Sequence, residues 1–113
     1  MALNEIFRDA DHLSLPVPSG RKSGDPVRVG GLNGVCETAR GEGGNDAGNA
    51  TVWLKGGHTF DVAFAIATVG LPVYITPGND LAATDNSGAN FLFGHALTTK
   101  AAASGPLTVR IAN

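Results

Sequence analysis

Gly24-Asp25-Pro26-Val27-Arg28-Val29 returns as Gly70-Leu71-Pro72-Val73-Tyr74-Ile75, 46 residues later and without a gap. The echo runs on past the hexapeptide: Asn33 falls with Asn79, Val35 with Leu81 and Thr38 with Thr84. Each unit therefore reads as a strand, an Asn-centred turn and a short second strand. Two further apolar segments follow each unit, Ala50 to Lys55 and Thr59 to Phe64 in the first, Asn90 to Thr99 and Leu107 to Ala112 in the second. Phe60, Val62 and Phe64 share one parity, as do Leu107, Val109 and Ile111, the period of half-buried antiparallel strands. Upstream, Leu13, Leu15 and Val17 alternate with Ser14 and Pro16, a strand whose proline suits a sheet edge and which Ser19-Gly20 closes.

The turns carry their own chemistry. Asn33-Gly34 suits the positive φ angles of a type I′ hairpin, Pro77-Gly78 suits a type II turn, and Gly56-Gly57 can join the two middle strands. Arg40 to Asn49, with four glycines, reads as a mobile surface loop, and Asp85 to Asn90 as a shorter one. The spacing predicts about nine short strands in one all-β domain, a small antiparallel barrel or β-clip built from two related halves over residues 12–113. Residues 1–11 stand apart as an N-terminal arm.

Composition agrees with this reading. In 113 residues, 16 glycines and 6 prolines accompany only 16% charged residues, which disfavours long charged helices and coiled coils. A chain of this length holds one modest core, too little for a two-domain enzyme. The net charge of −2 is scattered, with no basic stripe for nucleic acid. No apolar run approaches the ~20 residues that cross a bilayer, and the N-terminus lacks the basic start and apolar stretch of a secretory signal, so synthesis in the cytoplasm and no membrane partner are expected.

Residues with catalytic potential do not form motifs. Lys22, Lys55 and Lys100 lack the context of a phosphate loop, and Gly41-Glu42-Gly43-Gly44 opens no strand-to-helix transition. His12, His58 and His95 are 46 and 37 residues apart, so no metal and no other cofactor is expected. His95, sharing parity with Phe93 and Leu97, reads as an interior histidine. Cys36 stands alone and reads as a small buried apolar residue. Nothing here points to an enzyme.

The run Ser23 to Val35, the segment Gly70 to Ile75, the terminal Thr108-Val109-Arg110-Ile111, the lead-in Leu13 to Pro18 and Leu92-Phe93-Gly94-His95-Ala96-Leu97 together resemble the tailed-phage capsid decoration, or cement, proteins. The resemblance covers most of the chain and its motifs are structural, so it brings no catalytic residues. It implies a small β protein on the outer surface of a phage head, a homotrimer bound to the major capsid protein that reinforces the shell of the virion. On that reading Leu3, Ile6 and Phe7 of the arm are candidates for packing against capsid or a neighbouring copy, since eleven extended residues reach roughly 35 Å. Trp53 and Phe60 are candidates for a subunit interface, competing with a place in the core that their strands favour, as it does for Phe64. The alternative function is a glycan- or protein-binding accessory module of the particle, with Trp53 or Tyr74 as the stacking residue.

Overall fold

The computed structural model describes residues 11–113. Leu3, Ile6 and Phe7, and with them all but the last residue of the arm, lie outside the described residues.

The fold is all-β. Among the described residues nine strands follow in order: β1 His12–Pro16, β2 Pro26–Val29, β3 Leu32–Cys36, β4 Asn49–Trp53, β5 Gly57–Val62, β6 Pro72–Ile75, β7 Leu81–Ala82, β8 Phe91–Ala96 and β9 Gly105–Ile111. They form two curled antiparallel sheets, one of four strands in the order β1-β4-β3-β2 and one of five in the order β5-β9-β8-β6-β7. Among the described residues the sole helical element is a 3-10 turn at Asn86–Gly88, inside the expected short loop.

Each sheet curls around its own core. Val17, Val27, Cys36, Ala50, Val52 and Leu54 fill the smaller one, with Leu13, Leu15 and Val29 packed against it. Phe60, Val62, Ile66, Val73, Ile75, Phe93, Ala96, Leu107, Val109 and Ile111 fill the larger one, joined by Val35 from the other sheet. The alternation in β9, where Leu107, Val109 and Ile111 are buried while Pro106 and Arg110 are exposed, is the expected parity of a strand with one wet face.

The 46-residue echo lands on structure at its start: Pro26–Val29 is β2 and Pro72–Ile75 is β6. Beyond that the surroundings diverge. β2 is an edge strand hydrogen-bonded to β3 alone, whereas β6 is interior and lies between β8 and β7. The turns explain the difference. Asn33-Gly34 is not the hairpin turn; both residues lie within β3, and Gly30-Gly31 makes the turn between the paired Val29 and Leu32. Gly30 has φ +60° while Gly31 stays outside the left-handed region, the pattern of a type II′ turn. A two-residue turn lets all four residues of β2 pair in register. In the second unit, Asn79 N–H donates to Thr76 O (2.9 Å) and Thr76 N–H to Asp80 O (2.8 Å). Asn79, not Gly78, takes the left-handed conformation (φ +67°), so Pro77-Gly78 forms a type I rather than a type II turn. The longer loop leaves only two residues for β7.

His95 is exposed, not interior. Val73 pairs with Gly94 but Tyr74 with Leu92, so Phe93 is an extra residue in β8. This β-bulge puts Phe93 and Gly94 both inside and turns His95 outward, which strict alternation from Phe93 does not foresee. The Arg40–Asn49 loop, read from composition as mobile, is tied by hydrogen bonds. Gly41 N–H donates to Asn49 O, Arg40 Nε to Val17 O, and Asn45 Nδ2 to Thr38 Oγ1, Glu42 O and Thr51 Oγ1.

Candidate docking surfaces

Two buried asparagines fix the sheets to each other. Asn33 is 3% exposed on β3, and its Nδ2 donates to Leu92 O and Ala112 O of the five-stranded side, each at 2.8 Å. Its main chain exchanges hydrogen bonds with Asn113: Asn33 N–H donates to Asn113 Oδ1 and Asn113 Nδ2 donates to Asn33 O, both 2.8 Å. Asn79 works in the opposite direction, accepting the Arg28 N–H of β2 on its Oδ1 at 2.9 Å. Buried amides satisfied in this way hold one relative placement, because any slip leaves donors and acceptors without partners. The consequence is a rigid body whose surface features keep fixed positions.

Among the described residues six large apolar side chains remain exposed, and they gather at opposite ends of β8. Leu32 sits beside the β2–β3 turn, and Phe91 and Leu92 begin β8, with the Arg28 guanidinium stacked 4.4 Å over the Phe91 ring. At the far end lie Val69, Leu71 and Leu97, brought together by Gly70 N–H donating to Ala96 O and Ala96 N–H to Leu71 O. Val69 is the most exposed, at 57%.

A third feature is the unclosed seam of the five-stranded sheet. A cleft of about 710 Å³ is lined by Phe60 to Phe64, which end and follow edge strand β5, and by Asn79 to Leu81, which lead into the other edge strand, β7. Arg21 and Ser23 to Pro26 line its remaining wall. The Arg21 Nη1 donates to Pro26 O and Asn79 O, both 3.3 Å, and its Nε lies 4.0 Å from Asp25 Oδ2. The sheet is thus a half-barrel open along this side.

The residues singled out from the sequence lie apart. Phe60 is 5% exposed and meets Phe93 edge-on at 5.6 Å between ring centroids, inside the larger core. Trp53 is half-buried, packed against that core and tilted on His12 at 4.5 Å. Tyr74 is half-buried in a separate shallow groove with Leu71 and Pro72. His58 Nε2 lies 3.0 Å from Lys55 O, and no group of three or more metal-ligating side chains forms among the described residues. Cys36 is buried; burial, aided by the charge of Asp25 and opposed by Arg21, pushes its thiol up to about 11. The sequence reading missed Leu32, Phe91, Leu92, Val69, Leu71 and Leu97 as surface residues, since an apolar residue in a strand pattern reads as core. No helix among the described residues is long and apolar enough to cross a membrane.

Neither the curated proteins nor the solved structures include a significant match to the chain. A family model does match, that of the phage cement proteins, over residues 7–112. That span takes in both sheets, Asn33 and Asn79 and both apolar clusters, and the chain accordingly belongs to the phage cement protein family, structural proteins associated with the phage capsid.

Proposed function

We propose that this protein binds the outer surface of a tailed-phage head as a homotrimer, contacts the major capsid protein and stabilises the assembled shell, after synthesis in the host cytoplasm. The role is mechanical, with no reaction catalysed. The observation that carries this reading is the pair of apolar clusters on a body whose cores are already filled: Leu32, Phe91 and Leu92 at one end of β8, Val69, Leu71 and Leu97 at the other. Large apolar side chains left grouped at the surface of a packed domain are suited to contact with other proteins. Two different clusters on one subunit favour head-to-tail contacts, which close into a ring when the rotation permits. Residues 1–11 carry Leu3, Ile6 and Phe7 and serve as an arm toward the capsid or a neighbouring copy.

Stabilisation follows from mass action: a protein that binds the assembled lattice and not its dispersed subunits shifts the equilibrium toward assembly. Electron microscopy of heads with and without the protein tests this reading. The expected result is added density on the outer surface, clustered in threes; heads indistinguishable after incubation at saturating protein overturn it.

A further inference from the structure

The two sheets offer four edges, and three are blunted. β1 ends in Pro16, β2 begins with Pro26 and is four residues long, and β7 is two residues long. β5 differs: six residues, Gly57–Val62, without proline, lysine or bulge, paired on one side with β9. Ile111 N–H donates to Gly56 O. Alternation along the antiparallel ladder then assigns the β9-directed hydrogen bonds to His58, Phe60 and Val62, and turns the N–H and C=O of Thr59 and Asp61 to the free edge. No main-chain hydrogen bond to another described residue meets them there.

Beside this edge lies the 710 Å³ seam, its floor apolar at Phe60, Val62 and Phe64 and its rim carrying Asp61 and Asp80. The Arg21 charge on the opposite wall already faces Asp25 and two carbonyls. A strand laid along β5 sets alternate side chains into the seam, where apolar groups fit, and the others beside Thr59 and Asp61, where a cation fits.

Resting on the capsid-binding reading above, we propose that the free edge of β5 receives an extended segment of the shell protein, alternating apolar and basic residues, which adds a strand and closes the half-barrel. The chain's own residues 2–10 suit this edge less, because Glu5 and Asp9 bring two more carboxylates against one Arg8.

The test uses the full-length protein and purified undecorated heads. Thr59→Pro removes an edge donor where strand proline is tolerated, and Asp61→Lys reverses the rim charge while leaving the main chain intact; each is checked for an unchanged melting temperature. Affinity for heads is expected to fall at least tenfold for both. In hydrogen exchange the Thr59 and Asp61 amides exchange freely in the unbound protein and become protected at least tenfold on heads. Unchanged affinity for Asp61→Lys together with unprotected amides overturns the proposal while wild-type coating leaves the capsid-binding reading standing. Amides already protected in the unbound protein show that the chain itself fills the edge, and also overturn it. Wild-type protein that fails to coat heads overturns the capsid-binding reading, and this proposal with it.

Discussion

Asn33 and Asn79 meet on one residue: the Arg28 guanidinium donates to Asn33 Oδ1 at 2.8 Å, and the Arg28 main-chain N–H donates to Asn79 Oδ1 at 2.9 Å. The two asparagines occupy equivalent places in the sequence echo, yet one reaches out of the four-stranded sheet and the other into it. Arg28 also covers Phe91, so the clasp between sheets continues into the nearer apolar cluster.

Replacing Asn33 by Ala strands the Leu92 and Ala112 carbonyls and the Arg28 guanidinium at once, while the main-chain hydrogen bonds to Asn113 remain. A loss of about 2–4 kcal/mol is expected from buried groups left without partners. Asn79→Gly keeps the left-handed turn and removes only the acceptor for Arg28, so its cost is about 1–3 kcal/mol. Urea unfolding of the two variants measures both; equal stability to wild type in each removes the clasp from the account.

Gly94 lies where β8 approaches β9 so closely that a Cβ would collide with Arg110 O and stand 2.8 Å from Val109 Cγ1. Gly94→Ala should cost about 1–3 kcal/mol, the range for forcing atoms into a packed interior. Gly31→Ala is the control, because a Cβ there meets nothing within 4 Å and its φ is not left-handed. It is expected to be neutral or to stabilise by up to ~1 kcal/mol through the unfolded chain. Thermal melts of the pair decide the point.

Cys36 gives a pH dependence of defined sign. Its folded-state thiol titrates at about 11 against 9.0 for the free group. Between those values the unfolded chain loses the proton that the native state keeps, so stability falls as pH rises from 9 toward 11 and levels off above. The loss is on the order of 3 kcal/mol. Cys36→Ala, measured by denaturation from pH 8 to 11, should flatten this slope; an identical slope assigns it to other groups. The same burial predicts slow reaction with thiol reagents in the native protein and rapid reaction on unfolding.

Phe60 and Leu92 should separate stability from binding. Phe60→Ala opens a cavity beside Phe93 and is expected to cost about 3–5 kcal/mol. Leu92→Ser acts on a side chain 41% exposed, so the melting temperature should move little while coating of heads weakens. Coating unchanged by Leu92→Ser combined with Leu32→Ser removes this cluster from the contact surface.

Period-two patterning made strands such as β1, β5 and β9 legible, because burial alternates residue by residue along them, whereas β3, buried at four consecutive residues, and the bulged β8 do not show it. The 46-residue echo located β2 and β6 and, in Asn33 and Asn79, two residues whose importance lay hidden as turn formers. What stayed illegible was pairing. Asn33-Gly34 has the composition of a turn, but Gly30-Gly31 precedes it and closes the hairpin first, drawing Asn33 into β3. The bulge at Phe93 depends on the partner strand and reversed the placement of His95. Exposure of Leu32, Phe91 and Leu92 follows from where the sheets stop covering each other, a property of the assembled fold and of no local sequence.

The most direct test of the cement role is calorimetry of purified heads titrated with this protein. The account predicts saturable binding at fixed stoichiometry to the capsid subunits, with the temperature of shell disruption rising as sites fill. Saturated binding that leaves that temperature unchanged, or no binding at all, contradicts it.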